Sequence, residues 1–321
     1  MRAIVVEEQG GPEVLRLTEA PDPVPGPGQA LVEVASRGIN FIDVYQRSGA
    51  YKVPLPFVPG VEAAGTVTAV GEGVTGLAPG QRVGWAMAPG GYAEKAAVDA
   101  SLLVPLPDGV SDDQAAALLL QGMTAHYLTH SVHPVADGET VLVHAAAGGT
   151  GLLLTQLAKE RGARVIGTVS TEEKERIARE AGADEVIRYT ETPVAEAVRE
   201  LTGGEGAAAV YDGVGRDTFE ASLASLRPRG VLALFGQSSG PVDPVDPQRL
   251  NSAGSVYLAR PSLGHFVADR DELLGRAGNL FRLVEAGRLD VRIGGRYPLA
   301  EAARAHTDLA SRATSGKLLL V

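Results

Sequence analysis

The clearest chemical signal in the chain is a six-residue stretch, Ala146-Ala147-Gly148-Gly149-Thr150-Gly151. It follows ETVLVHAA, which reads as a buried strand, and opens LLLTQLAKE, which reads as an apolar helix over residues 152–161. The stretch is a variant of G-x-G-x-x-G with Ala146 in the first glycine's place. Between a strand and a helix, its backbone N–H groups and the positive helix end can face a pyrophosphate. Gly151 permits close packing of helix on sheet. A small-residue turn serving packing alone is the other reading, and the complete βαβ setting disfavours it. About 20 residues further on, a site for NAD presents Asp or Glu to the ribose hydroxyls; this sequence has Ser170. With no carboxylate to repel a 2′-phosphate, and Lys174 one helical turn beyond, the pocket is expected to favour NADPH over NADH. Taken alone, Lys174 is one more exposed charge in EEKER.

Other reactive residue types exclude more than they suggest. The 321 residues contain no cysteine, which removes disulfides, thiolate zinc sites, Fe–S clusters and a cysteine nucleophile together. His126, His130 and His133 have helical spacing, but no H-E-x-x-H forms, no carboxylate lies between them and Pro134 ends the helix. A solvated helix end is expected, and no metal. Lys plus Arg is 29 against 39 Asp plus Glu, a net charge of -10, which repels nucleic acid and anionic lipid. The amino terminus turns acidic after six residues, and no apolar run approaches the ~20 residues that span a bilayer. A cytoplasmic protein without a membrane or nucleic-acid partner is expected.

The elements that must hold these residues change character along the chain. Up to about Gln121 the runs AIVV, LRLT, QALVEVAS, GTVTAVG, QRVGWAM and GGYAEKAAV, punctuated by Gly and Pro, predict a small irregular β-barrel. PDPVPGPG, residues 21–28, reads as a surface loop. Ser111 is a plausible N-cap for a helical region with a break near Gly122. From Glu139 strands alternate with helices, the latter over residues 171–181, 193–201 and 217–226, which predicts a parallel sheet wound with helices. The strand GSVYLAR, residues 254–260, precedes a helix over residues 269–286, and GKLLLV reads as a strand returning to the first module.

Gly138-Glu139, Leu142, Ala146-Ala147-Gly148-Gly149, Gly151, Gln156 and Lys159 together resemble the signature of the zinc-free quinone oxidoreductases, the ζ-crystallin-like branch of the medium-chain dehydrogenase/reductase superfamily. The resemblance covers nearly the whole chain. Bacterial members are also similar at Asn40-Phe41-Ile42-Asp43 with Tyr45, at PGVEAAG (residues 59–65), at Val210-Tyr211-Asp212 with Val214-Gly215-Arg216-Asp217, at Arg260-Pro261-Ser262, and at Ser311-Arg312-Ala313-Thr314 with Gly316.

This resemblance implies an α/β protein. A GroES-like β-barrel catalytic domain, residues 1–121 and 261–321, would enclose a Rossmann domain with a doubly wound parallel sheet, residues 122–260, and the active site would lie in the cleft between them. Carried over by position, Gly148, Gly149, Thr150 and Gly151 hold the pyrophosphate; Lys174, Tyr189 and Arg312 the 2′-phosphate, beside Ser170; Asn40 and Thr124 the nicotinamide end. Val214, Phe235 and Ser238 lie along the cofactor. Zinc-using relatives have a Cys in the first catalytic loop and a His in a G-H-E motif, where this chain has Asn40 and Val61 of Gly60-Val61-Glu62.

The implied reaction passes hydride from NADPH to a quinone, with Asn40, Tyr45 and Thr124 in place of zinc chemistry. Reduction of an enal, enone or enoyl thioester, or an NADPH-binding structural or sensing role, are the alternatives. Tyr45 and Tyr51 read equally as substrate contacts or packed loop aromatics, the family position favouring Tyr45; Asp43 reads as a loop cap or, less favoured, a catalytic acid. Family members commonly form homodimers through the last Rossmann strand, here residues 254–260, which would hide an apolar sheet edge; an edge covered by its own chain is the other reading.

Overall fold

Short alternating runs broken by Gly and Pro become the strands of the amino-terminal third. In the computed structural model, which describes residues 1–321, they are β1 (Arg2–Val5), β2 (Arg16–Glu19), β3 (Gln29–Gly38), β4 (Glu62–Val70), β5 (Arg82–Ala86), β6 (Lys95–Asp99) and β7 (Val104–Pro105), with helices α1 (Phe41–Arg47) and α2 (Asp112–Tyr127). Strict alternation then follows: β8 (Thr140–Val143), α3 (Gly149–Glu160), β9 (Arg164–Val169), α4 (Glu172–Glu180), β10 (Glu185–Arg188), α5 (Val194–Leu201), β11 (Ala207–Asp212), α6 (Phe219–Ala224), β12 (Leu226–Leu234), α7 (Pro247–Ser252) and β13 (Tyr257–Ala259). The chain closes with α8 (Leu263–Phe266), α9 (Arg270–Glu285), β14 (Ile293–Tyr297), α10 (Ala302–Ala310) and β15 (Lys317–Leu320). Two units result, Met1–Met123 with Phe266–Val321, and Thr124–His265.

The second unit is a six-stranded sheet in the order β10-β9-β8-β11-β12-β13, with every pairing parallel. This is the doubly wound order, whose direction reverses between β8 and β11, so the crevice for a ligand opens at the carboxyl ends of these two strands. A parallel strand covered on both faces reads as a near-continuous apolar run, and β11, AAAVYD, is buried at every residue and charged only at its terminal Asp212. Leu142, Ile166, Val210, Leu226 and Leu232 form the core.

In the first unit the seven-stranded sheet runs β14-β15-β3-β4-β5-β7, with β6 also pairing β3. The carboxyl-terminal β15 lies antiparallel to β3, with Leu319 opposite Gly38. One core gathers around Trp85 with Val32, Val67 and Leu103; another joins Ile4, Ile39, Tyr92 and Leu318. No helix is long and apolar enough to cross a membrane.

Several elements differ from the sequence reading. The break expected near Gly122 is absent: α2 runs through it. A Cβ there would lie 2.7 Å from Leu118 Cδ1 and 3.0 Å from Leu280 Cδ1, so the glycine serves close packing against α9 and does not interrupt the helix. The strand expected over residues 254–260 shrinks to β13, because Gly254 (φ 105°) and Ser255 (φ 55°) take left-handed conformations. The loop after Asn40 is helical, and β14 and α10 were not foreseen. Gly294 of β14 explains part of that: a Cβ there would fall 1.8 Å from Ser315 O, so glycine is what lets the chain approach β15.

Candidate active site

Beyond β8, residues 144–148 turn the chain into α3. Ala145, not Ala146, takes the left-handed conformation of this turn (φ 52°), at a cost of about 1–2 kcal/mol for an L-residue. Ala146 in the first glycine's place is therefore unstrained; its amide donates to Thr168 O at 3.0 Å, and that of Gly148 to Ala145 O at 2.8 Å. Gly148 is the N-cap of α3, no side chain caps the helix and no acid occupies its first turn. The first-turn N–H groups and the positive helix end remain available to an anion. Gly151 packs against the turn itself: a Cβ there would lie 2.3 Å from Ala145 O and 2.9 Å from Ala146 Cα.

Beneath the turn, buried side chains tie the strand ends together. Thr168 Oγ1 meets His144 Nδ1 at 3.0 Å, His144 Nε2 meets Ser222 Oγ at 3.0 Å, and Ser222 Oγ donates to Asp212 Oδ2 at 2.6 Å. Because the serine proton goes to Asp212, its oxygen accepts from His144 Nε2–H, and Nδ1 accepts from Thr168. Burial pushes His144 below the usual imidazole range, which suits a ring with one donor and one acceptor. Asp212 also accepts from the amides of Val214 (2.8 Å) and Gly215 (3.0 Å), which sets the turn carrying Val214.

Around this crevice the structure brings together most of the residues expected on the cofactor. Phe235 N donates to Asp212 O at 2.9 Å and Ser238 N to Gly213 O at 3.2 Å, so Val214, Phe235 and Ser238 share the ends of β11 and β12. Phe235 covers Gly213, where a Cβ would sit 2.8 Å from Cζ. Ser170 follows β9; Tyr189 follows β10, about half exposed, with its amide on Val169 O at 3.1 Å. Thr190 Oγ1 donates to Ser170 O at 3.2 Å, and Thr171 caps α4 by accepting from Lys174 N at 3.3 Å. Ser170, Lys174 and Tyr189 thus occupy one corner, where burial lowers the pKa of the Lys174 ammonium. Thr124, buried on α2, begins this unit. Arg312 belongs to the first unit, exposed and left-handed (φ 59°).

In the first unit α1 begins at Asn40. Asp43, at N3, accepts from Asn40 N (2.8 Å), Val61 N (3.2 Å) and Tyr92 OH (3.1 Å), and Tyr92 OH also meets His306 Nε2 at 3.0 Å. This is the geometry of a cap. Burial pushes the Asp43 carboxyl up to about 6, against the pull of the Asn40 amide, Lys317, Tyr92 and the Val61 amide. His306 is pushed down to about 3, chiefly by burial and also by Arg47.

The Asn40 side chain turns away from the helix: Nδ2 donates to Glu62 Oε2 (2.8 Å) and Gly38 O (3.3 Å), while Oδ1 accepts from Lys317 Nζ (2.7 Å) and Gln121 Nε2 (3.5 Å). Both amide hydrogens are committed to protein oxygens, so the side chain offers a nicotinamide no spare donor. Phe41, Tyr45 and Tyr51 form a row of rings with centroids 6.1 and 5.1 Å apart.

The three spaced histidines do not converge. His126 and His130 stack at 4.0 Å, and His133 pairs with Glu139 at 2.9 Å, so the third is held by a downstream carboxylate and is not the solvated helix end expected. Sequence reasoning quoted Glu62 and Asp212 within motifs without giving them a role, and missed Lys317, Tyr92 and His306 in one unit and His144, Thr168 and Ser222 in the other. Asp212 had a signal, as an acid ending an apolar strand; a lysine opening GKLLLV had none.

Two family models match the chain: an alcohol dehydrogenase GroES-like domain over residues 26–108 and a zinc-binding dehydrogenase over residues 149–273. A quinone oxidoreductase of Pseudomonas aeruginosa is 47% identical over 314 residues, 97% of each chain. A 2-haloacrylate reductase of a Burkholderia species is 42% identical, covering 99% of this chain and 98% of its own. Among solved structures, a mycobacterial protein complexed with NADPH is 55% identical, with a TM-score of 0.97 over the whole of both chains.

Proposed function

The chain belongs to the quinone oxidoreductase family of the medium-chain dehydrogenase/reductase superfamily, and from that membership we propose that it is an NADPH:quinone oxidoreductase working without metal or flavin. The observation that carries the cofactor assignment is the uncapped start of α3 beside a strand end where Ser170 stands in place of a carboxylate and Lys174 lies half-buried. When bound, NADPH supplies a hydride, which with one proton converts a quinone to its hydroquinone and leaves NADP+.

Gly148, Gly149, Thr150 and Gly151 would hold the pyrophosphate through backbone N–H groups. Lys174, Tyr189 and Arg312, next to Ser170, would hold the 2′-phosphate, and Val214, Phe235 and Ser238 would line the cofactor. Thr124 and Asn40 are assigned to the nicotinamide end, Asn40 by its place at the start of α1, since its amide is already spent. Tyr45 would meet the acceptor oxygen or ring, with Phe41 and Tyr51 excluding water. A quinone is electrophilic enough to need positioning more than a Lewis acid, so Tyr45 is not an obligatory proton donor.

The residues at the zinc positions of metal-using relatives do not fit zinc. Val61 has no donor atom, the Asn40 amide is saturated, and both Glu62 oxygens are taken, Oε1 by Leu120 N at 2.6 Å and Oε2 by Asn40 and Lys317. The edge strand β13, with Tyr257 exposed, would pair across a two-fold axis in a homodimer. The net charge of -10 argues against a nucleic-acid partner, because it repels phosphate backbones.

The test is NADPH consumption across quinones, enals and enones. Steady oxidation with quinones and little with enones supports the reading. A preference for enones would move the assignment to unsaturated-carbonyl reduction, the direction in which the 2-haloacrylate reductase points. Tight NADPH binding with no turnover on any acceptor would make it a binding protein.

A further inference from the structure

Among the chain's five lysines Lys317 alone is buried, at 2% exposure. Taking an ammonium out of water is costly unless it is paired and hydrogen-bonded, and this one is both. Its Nζ donates to Glu62 Oε2 at 2.6 Å and to Asn40 Oδ1 at 2.7 Å. Glu62, 0% exposed, is equally committed. The Asn40 amide therefore meets both charges at once, its oxygen on the cation and its NH2 on the anion. Flipping that amide would set NH2 against ammonium and C=O against carboxylate, so only one orientation is satisfied. The carboxylate has no room to retreat past Gly38, where even a Cβ would lie 2.4 Å from Glu62 Oε2 and 2.2 Å from Ala116 O.

We propose that Lys317 and Glu62 are positioning residues of the reductase. The buried pair fixes the Asn40 amide and, through it, the start of α1, the helix that carries Phe41 and Tyr45. The inference rests on the quinone-reductase reading, and it gives the last strand of the chain a part in turnover, although no atom of that strand is asked to touch the acceptor.

Two measurements test it. Lys317→Met leaves a buried carboxylate without its cation and should lower the melting temperature by about 10 °C. Lys317→Met/Glu62→Gln removes both charges at similar volume and should recover melting to within a few degrees of wild type. Its kcat with NADPH and a quinone should remain down by about tenfold or more, with quinone KM changed less than about threefold. A folded double variant with wild-type kcat would show a purely structural pair and overturn the proposal.

The second measurement needs neither turnover nor a folded variant. The chain has three asparagines, Asn40, Asn251 and Asn279. In selectively 15N-labelled wild-type protein the Asn40 side-chain amide should exchange with solvent at least about a hundredfold more slowly than that of exposed Asn251. Equal exchange would overturn the proposal. Absence of quinone turnover in wild type would instead refute the functional reading, while the exchange measurement would still decide whether the pair clamps the Asn40 amide.

Discussion

Replacing Gly151 by alanine tests the phosphate turn by one methyl group. The new Cβ would fall 2.3 Å from Ala145 O, 2.9 Å from Ala146 Cα and 3.0 Å from Ala145 C, all of them backbone. Restoring an ordinary 3.4 Å contact to that oxygen requires a shift of about 1 Å, and no flexible side chain is there to yield. The turn cannot absorb it locally, because Ala145 is already left-handed and the amides of Ala146 and Gly148 are bonded to Thr168 O and Ala145 O. Overpacking of this kind costs about 1–3 kcal/mol, and strain of that size falling on the bound turn corresponds to about tenfold to a hundredfold in affinity.

The assay is a fluorescence titration with NADPH alongside denaturant unfolding of the apo protein. Gly151→Ala should raise Kd by about tenfold to a hundredfold and lower the unfolding free energy. Gly148→Ala is the milder contrast: its Cβ would have one neighbour, Ala145 O at 3.2 Å, so stability should fall less than in Gly151→Ala while the methyl intrudes where the pyrophosphate approaches the backbone. Wild-type NADPH affinity in Gly151→Ala would refute the placement of the pyrophosphate on this turn.

Four further outcomes are expected. Lys174→Ala and Arg312→Ala should each weaken NADPH binding by about tenfold or more and leave NADH binding nearly unchanged, since a charge-assisted bond to the 2′-phosphate contributes about 1.5–3 kcal/mol; equal wild-type affinity for the two cofactors would sink the assignment. Tyr45→Phe should cost quinone turnover only modestly, whereas an obligatory acid would cost about a hundredfold to ten-thousandfold in kcat. Ala145→Gly should leave NADPH binding intact and stabilise the fold by up to about 1 kcal/mol, because glycine takes the left-handed conformation without strain; a loss of stability in denaturant titration would contradict that. Asp43, raised from 3.8 to about 6, binds its proton more tightly folded than unfolded. Its contribution is present below about pH 4 and is lost as pH rises through 6, about 2–3 kcal/mol in all. The stability of wild type relative to Asp43→Asn should fall by that order between pH 4 and 8, and a pH-independent difference would contradict it.

The sequence determined what depends on neighbours along the chain. The alternation after Glu139, the apolar run of β11 and the small-residue turn before α3 are local patterns, and they placed the parallel sheet and its phosphate turn without knowledge of any distant contact. The positions of Ser170 and Lys174, after β9 and in the first turn of α4, could be read for the same reason, since both lie at fixed distances after that turn. Helix α1 and strand β14 were not legible: one is seven residues long, and the other begins Ile293-Gly294-Gly295, a strand only because β15 lies beside it.

The buried polar groups lay further still from view. Nothing in GKLLLV distinguishes a lysine that faces water from one that does not, and Lys317 meets Asn40 across 277 positions of chain. Tyr92 and His306 are 214 positions apart, and His144 and Ser222 are 78 apart. Burial of a charge or an imidazole is decided by which elements close over it, and its partners come from whichever strands and helices arrive there. Local propensity has no access to that arrangement; the tertiary structure alone made Asn40 a clamped amide and Glu62 a saturated carboxylate.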